Sequence, residues 1–428
     1  MSQGPAFFYF TAVSNFAQTR PSHGNLVQVP SHQLRRLRTE SIGEGFSHQD
    51  EWFPMRIAQI APLIESVPPR FYGGTERVVS YLTEDLVAQG HEVTLFASGD
   101  SITAANLVPC CTQALRLDAA VSDVVPYYML MLDKVRLHAA QFDVLHFHID
   151  HFHFPIFRHL PIPSLTTLHG RQDHRDCLPF YAGFSDMPLI SISDAQRAPL
   201  PHANFVTTIH HGLPQDLHEA SYRPKGGYLA FVGRISPEKG PVDAIRIATS
   251  LGIPLKIAAK VDKLDESYFR EVVQPMLSTQ GVEFIGEINE KDKGPFLRDA
   301  SALLFPICWP EPFGLVMIEA MACGTPVLAY RAGAVAEVVD EGVTGMIVDN
   351  VDQARIASVQ VAALDRRKVR RRFEERFTAR RMAKDYVRVY QGLARHAVRP
   401  GRATKYPVNG GAHVSGDELV NDVDAHAD

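Results

Sequence analysis

The chain has 428 residues, 45% of them hydrophobic and 21% charged, with a formal net charge of -5. That length exceeds what one hydrophobic core ordinarily supports, so two globular domains are expected. The negative balance gives no general attraction to nucleic acid, and no apolar run approaches the roughly 20 residues of a membrane span, so neither class of protein is favoured.

Residues 1–54 mix Phe, Ser, His, Gln and Arg without the basic start, apolar stretch and small-residue cleavage site of a secretory signal, and read as an irregular extension. Met55 to Ala61 reads as a buried first strand, which makes Met55 itself a candidate translation start. A Pro-rich loop, Gly73-Gly74 and a helical pattern from Thr75 to Gln89 follow, with Val78, Val79, Leu82, Leu86 and Val87 at helical spacing and Gly90 as the stop. The next strand, 92–97, completes a βαβ unit. Cys110 and Cys111 read as packing residues. Together with Cys177, Cys308 and Cys323 they form neither a C-x-x-C motif nor a disulfide framework, which fits a reducing, cytoplasmic setting.

Further strands are expected at 142–148, 164–168 and 189–193. A second α/β series opens near 215, with strands at 228–232, 255–259, 282–285, 302–305 and 326–330 and helices at 241–251 and 313–322. The fold class is therefore α/β, with two doubly wound Rossmann-like domains and a ligand in the cleft between the carboxyl ends of their strands. The Arg-rich stretch 366–396 reads as helix, and the tail from 399 as disordered.

The segment Glu311 to Pro326 carries the strongest chemistry. It sits between a predicted strand and a predicted helix and sets Glu311 and Glu319 eight positions apart. Pro312 suits a first helical turn, Gly314 permits close approach of a ligand to backbone, and free amide donors at a helix start attract phosphate or sugar oxygens. At ~1.5 Å of rise per residue, Glu319 lies roughly 7 Å along the axis from Gly314, so one nucleotide sugar can span both carboxylates. The plainer reading makes Glu311 a helix-dipole partner and Glu319 a solvated helix residue.

The segment from Gly233 to Pro241 places Arg234 and Lys239 after a strand and before a helix, where two cations can neutralise a diphosphate leaving group in the way a metal ion does elsewhere. With both segments in view, residues 55–395 resemble the retaining GT-B glycosyltransferases of family 4. The E-x7-E signature is matched by Glu311 and Glu319. Gly73-Gly74, His169-Gly170 and the Arg234/Lys239 pair stand where that family has its counterparts. The stretches at 73–79, 257–262 and 305–312 look most like the subgroup of the avilamycin-pathway glycosyltransferase.

The resemblance implies an acceptor-side domain over 55–214, a nucleotide-sugar domain over 215–377 and a helix at 378–398 crossing back to the first domain. It implies that Gly233, Arg234 and Lys239 border the diphosphate, Glu319 the ribose, and Glu311 with the backbone of Phe313, Gly314 and Leu315 the sugar. His169 would meet the sugar's hydroxyl edge, and Gly73 and Gly74 would border phosphate and acceptor. No metal and no cofactor are implied. The expected partners are a nucleotide-sugar donor, UDP-glucose ahead of GDP-mannose, and an unidentified small-molecule, glycan or lipid-linked acceptor. Retaining chemistry of this kind proceeds by front-face attack, with the leaving phosphate taking the acceptor proton and no enzyme nucleophile.

Other signals rank lower. The run His146 to His153 has metal-ligand residue types, but a polar cleft lining or acceptor contact is the favoured reading. Asp422 and Asp424 match a metal-binding DxD without a flanking strand and are taken as chance. The 366–381 arginines are read as a solvated helix, with peripheral contact to an anionic membrane as the alternative. Neither G-x-G-x-x-G nor a P-loop occurs, which argues against a dehydrogenase or NTPase. A nucleotide-sugar epimerase on the same fold, or a non-catalytic binding protein, are the rival functions.

Overall fold

The computed structural model describes residues 53–70 and 72–397. The expected extension up to 52, the tail from 398 and the Asp422/Asp424 motif lie outside the described residues.

The first half comprises β1 (Arg56–Ile60), α1 (Gly74–Ala88), β2 (Glu92–Ser98), β3 (Asn106–Cys111), α2 (Val125–His138), β4 (Val144–Phe147), β5 (Ser164–Thr167), β6 (Leu189–Ser191) and β7 (Phe205–Thr208). Its strands form one parallel sheet in the order β3-β2-β1-β4-β5-β6-β7. The central strands read as continuous apolar runs because helices cover both faces, and β4 is buried at every residue. Val78, Val79, Leu82 and Leu86 form the buried stripe of α1, as their spacing requires. The sequence reading missed β3 and β7. Pro109 inside β3 removes a ladder donor and restricts the strand to an edge, which is where it lies.

The second half contains β8 (Leu229–Arg234), α3 (Pro241–Leu251), β9 (Leu255–Lys260), β10 (Val282–Gly286), α4 (Glu290–Asp299), β11 (Ala302–Phe305), α5 (Leu315–Ala322), β12 (Val327–Tyr330), β13 (Gly345–Val348), α6 (Val351–Ala362), α7 (Arg366–Arg376) and α8 (Ala379–Ala397). The sheet is again parallel, ordered β10-β9-β8-β11-β12-β13. Helix α5 is buried from Met317 to Ala322. It begins at Leu315 rather than 313, because Gly314 adopts φ 84°, a left-handed conformation that no helix can contain.

The expected helix over 366–396 is two helices. They are separated at Phe377 and Thr378 because the backbone there serves another purpose. Leu213 N–H donates to the Phe377 carbonyl at 2.9 Å, and Ala379 N–H donates to the Leu213 carbonyl at 2.7 Å. The two chain crossings between the sheets therefore run side by side. Gly212 is required there: a Cβ would come within 2.3 Å of the Thr378 carbonyl oxygen. Helix α8 then packs on α1 and β4, burying Tyr386 and Tyr390.

Four arginines of 366–381 depart from the solvated-helix reading, while Arg367, Arg371 and Arg380 are exposed. Arg366 donates to the carbonyls of Ser221, Ala300 and Arg298, and Arg370 to those of Gln215, His218 and Ala322. Arg376 pairs with Asp340, and Arg381 binds the carbonyls of His210 and His211. These cations stitch the interior and the crossing segment. No helix among the described residues is long and apolar enough to cross a membrane.

Candidate functional site

The loop after β8 and the loop after β11 are pressed together. Gly240 has φ 71°, and a Cβ on it would lie 2.0 Å from the Pro306 carbonyl oxygen. The Cys308 N–H donates to the Glu238 carbonyl at 3.0 Å. This contact brings Lys239 Nζ to 2.5 Å from Glu311 Oε2. The same oxygen accepts the indole N–H of Trp309 at 2.8 Å. The Lys239 ammonium also lies over the Trp309 ring, 4.6 Å from its centroid, and Arg171 from the first half lies over it at 5.3 Å. Lys239 and Glu311, expected at different parts of a ligand, are thus direct partners. Trp309 lies within the 305–312 stretch singled out from the sequence, and its position two residues before Glu311 is the sequence signal for a role beside it.

Gly333 closes on the same turn. A Cβ there would meet Glu311 N at 2.3 Å, and the Ala334 N–H donates to the Glu311 carbonyl at 2.9 Å. Glu311 is fixed by its backbone as well as its carboxylate. Gly314 is followed by the start of α5, where Leu315 Cδ1 would lie 3.6 Å from a Cβ on Gly74. The Gly73-Gly74 turn therefore faces the amide end of α5 across the cleft. Gly73 itself is extended, and a Cβ on it would crowd Pro69 at 2.8 Å.

Arg234 ends β8 among carboxylates: Glu238 at 2.5 Å, Asp265 at 3.6 Å and Asp262 at 3.8 Å. The sequence reading sets it as a cation that can neutralise a diphosphate; in the structure its charge is already paired with these three carboxylates. Gly233, next to it, is open, with nothing within 4 Å of a Cβ.

Glu319 is 4% exposed on α5, which excludes a solvated surface role. Lys293 of α4 approaches it at 2.6 Å and also binds Glu290 at 3.0 Å. Glu290 in turn pairs with Arg77 of α1 and lies 3.4 Å from His218. Burial alone would push the Glu319 carboxyl up, but Lys293, His218 and Arg77 hold it below the usual carboxylate range. An ion network thus runs from α1 through α4 to α5, between the two halves.

His169 follows β5. Its Nε2 lies 2.9 Å from His148 Nδ1, and its ring stacks on His211 at a centroid separation of 5.3 Å. His211 contacts the buried Phe313 ring at 4.9 Å. His169 therefore meets the turn before α5 through one imidazole. Further interdomain bonds hold this arrangement: Ser193 Oγ donates to the Pro312 carbonyl at 2.7 Å, and Glu337 accepts the N–H groups of Asp194 and Ala195.

The histidine run does not line the cleft as expected. His146 and His153 are fully buried and His148 is 3% exposed. His153 stacks on Phe147 and bonds Thr166 Oγ1, while His146 and His148 lie under α8. No group of three His, Cys, Asp or Glu residues suited to a metal ion occurs among the described residues. Glu76, in the first turn of α1, escaped the sequence reading. It is 6% exposed, and burial pushes its carboxyl from the ordinary 4.5 up to about 7.

Two doubly wound parallel sheets, facing across a cleft into which the β8 and β11 loops and a glycine turn converge, define the GT-B fold. The family model described as "Glycosyl transferases group 1" matches residues 216–380, and "Glycosyltransferase Family 4" matches residues 72–197. Each half of the chain thus matches a glycosyltransferase family model, which makes the protein a glycosyltransferase of GT-B fold.

Among relatives, the glycogen synthase of Mycobacterium tuberculosis (strain ATCC 25618 / H37Rv) is 25% identical over 350 residues, covering 70% of this chain and 84% of the relative. Among solved structures, a glycosyltransferase involved in avilamycin A biosynthesis superposes with a TM-score of 0.62 at 24% identity, covering 80% of this chain and 98% of that one. Anabaena HepE in complex with UDP-glucose superposes with a TM-score of 0.61 at 16% identity, covering 79% of this chain and all (100%) of that one.

Proposed function

We propose that this glycosyltransferase moves a hexose, with retention and without a metal ion, from a nucleotide-diphosphate sugar to a small-molecule, glycan or lipid-linked acceptor. The observation that carries the reading is the convergence on Glu311: Lys239 and Trp309 share one of its oxygens while Arg171 approaches from the opposite half. A fixed carboxylate beside a fixed ammonium, at the entrance to α5, suits a sugar joined to a diphosphate. The HepE complex, which holds UDP-glucose on the same fold, favours that donor.

On this reading the division is an acceptor side over 55–214, a nucleotide side over 215–377, and α8 crossing back. Lys239 and Arg234 exchange their carboxylate partners for diphosphate oxygens and stabilise the charge that builds on the leaving group. Glu319 accepts the ribose hydroxyls in place of Lys293. Glu311 and the backbone of Phe313, Gly314 and Leu315 hold the sugar, and His169 meets its hydroxyl edge. Gly73 and Gly74 leave room for phosphate and acceptor beside α5. The acceptor hydroxyl attacks the anomeric carbon from the face of the departing phosphate; the new C–O bond forms as the sugar–phosphate bond breaks, and the phosphate oxygen takes the acceptor proton. The two carboxylates serve different parts of one donor, unlike the pair that flanks a single bond in glycosidases.

The test is mass spectrometry of the purified protein with UDP-, GDP- and ADP-sugars, with and without a pooled metabolite and lipid extract. Acceptor-dependent nucleotide release with a hexose-sized product shift is expected, and NMR of the product gives its anomeric configuration. Epimerised donor without acceptor would replace this reading with a nucleotide-sugar epimerase. Inverted product would remove the front-face step.

A further inference from the structure

The middle of the first sheet carries polar side chains where a helix-covered parallel sheet ordinarily buries apolar ones. Gln59, His146 and Thr167 are 0% exposed and lie beneath α8, and His148 follows on the same strand face as His146. Such groups are costly unless each is hydrogen-bonded. Here they form one continuous chain of bonds. His169 Nε2 meets His148 Nδ1 at 2.9 Å, and His148 Nε2 meets Gln59 Oε1 at 2.8 Å. Gln59 Nε2 donates to the Tyr390 hydroxyl oxygen at 3.2 Å, and that hydroxyl meets His146 Nδ1 at 2.7 Å. His146 Nε2 closes on Thr167 Oγ1 at 2.8 Å.

A chain of this kind has a direction. Burial holds His146 and His148 well below the ordinary imidazole range and His169 down to about 3, so each ring carries one proton. With the Gln59 carbonyl toward His148, the His148 proton is on Nε2, its Nδ1 is a lone pair, and His169 must donate from Nε2. The remaining nitrogen, His169 Nδ1, is then a bare acceptor; it is buried and has no hydrogen-bond partner among the described residues. Reversing the Gln59 amide reverses every bond together and leaves a buried N–H at that nitrogen instead. An unpaired buried N–H is rarer in folded proteins than an under-satisfied acceptor, so the first direction is the stable one.

We propose that Gln59, His148 and Tyr390 are positioning residues that fix His169 as the Nε2–H tautomer, leaving Nδ1, closed off from solvent in this arrangement, as the acceptor for a hydroxyl of the transferred sugar that displaces its cover. The inference rests on the donor-site reading of His169 given above. Tyr390 belongs to α8, which follows the nucleotide-side half, so the tautomer is set only with α8 docked on the first sheet.

The experiment uses the full chain labelled with 15N-histidine and two-bond 1H–15N correlations, with His169 assigned by loss of its signals in His169→Gln. UDP-glucose is the turnover probe. Wild type is expected to show a protonated Nε2 and a bare Nδ1 at His169. Gln59→Met should give averaged tautomer shifts and a kcat/KM for UDP-glucose lower by about tenfold, since one charge-neutral bond is lost at the sugar. Tyr390→Phe, which deletes only the hydroxyl, should move both readouts in the same direction and keeps the test valid where Gln59→Met does not fold. A structural role alone would lower the unfolding midpoint without moving the tautomer.

An Nδ1-protonated His169 in wild type, or wild-type tautomer and turnover in both variants, overturns the proposal. Normal turnover in His169→Gln would instead remove the donor-site reading, while the tautomer shifts still decide the relay.

Discussion

Trp309→Phe isolates one bond at the centre of the site. It deletes the indole N–H that lies 2.8 Å from Glu311 Oε2 and leaves an aromatic face beneath Lys239 and Arg171. A hydrogen bond to a charged group contributes ~1.5–3 kcal/mol. Lys239 remains on the same oxygen at 2.5 Å, so the lower end applies and kcat/KM should fall about tenfold. Trp309→Ala removes the ring as well. Two cation–π contacts of ~0.5–1 kcal/mol each bring its total to roughly 3 kcal/mol, or about a hundredfold. The assay is nucleotide release with the donor that the sugar panel identifies, with thermal unfolding as the check on folding. A Phe variant at the wild-type kcat/KM would refute the claim that the indole positions Glu311. Equal losses in Phe and Ala would refute the cation–π contribution.

Lys239→Ala and Glu311→Gln should each lower transfer at least about tenfold with the fold intact by circular dichroism; near-normal turnover in both would remove the site assignment. EDTA should leave the rate of the purified enzyme unchanged. Glu76 is held protonated by burial, with a folded value near 7 against 4.5 in the open chain, so the stability it contributes is complete below pH 4.5 and lost as pH rises through 7. Denaturant titrations should show wild type losing up to ~3 kcal/mol across that window relative to Glu76→Gln; parallel pH profiles would contradict the assignment. Gly212→Ala forces a Cβ against the Thr378 carbonyl and should cost ~1–3 kcal/mol, read as a fall of a few degrees in the unfolding midpoint.

The buried strands β1, β4, β8, β11 and β12 were legible because parallel strands covered on both faces are short apolar runs between turn residues. Helices α1 and α3 were legible from their stripes. What escaped has a common cause, dependence on partners distant in the chain. Strand β3 is half-exposed and contains Pro109, so its composition lacks strand character and only pairing with β2 defines it. The arginines of α7 look solvated in sequence, yet Arg366 and Arg370 reach carbonyls of segments far upstream. The two-residue period of His146 and His148 put them on one strand face, but it could not say that α8 would cover that face. At the site, the residue types at 234, 239, 311 and 319 were readable. That Lys239 rests on Glu311, or that Lys293 occupies the Glu319 carboxylate, required the two sheets to be assembled.

The paired segments at Leu213 and Thr378 act on the rest of the molecule as a door's hinge pin acts on the door. Both described crossings are fastened to each other at that seam by the bonds between Leu213, Phe377 and Ala379, so any swing of the halves that kept these bonds would turn about it. Displacement grows with distance from the seam. The contacts that such a swing would have to release include Arg77 with Glu290, Ser193 with Pro312, Glu337 with Asp194 and Ala195, and Arg171 with Trp309. On the proposed function, parting these fastenings is the way a spent nucleotide would leave while the fold of either half stays untouched.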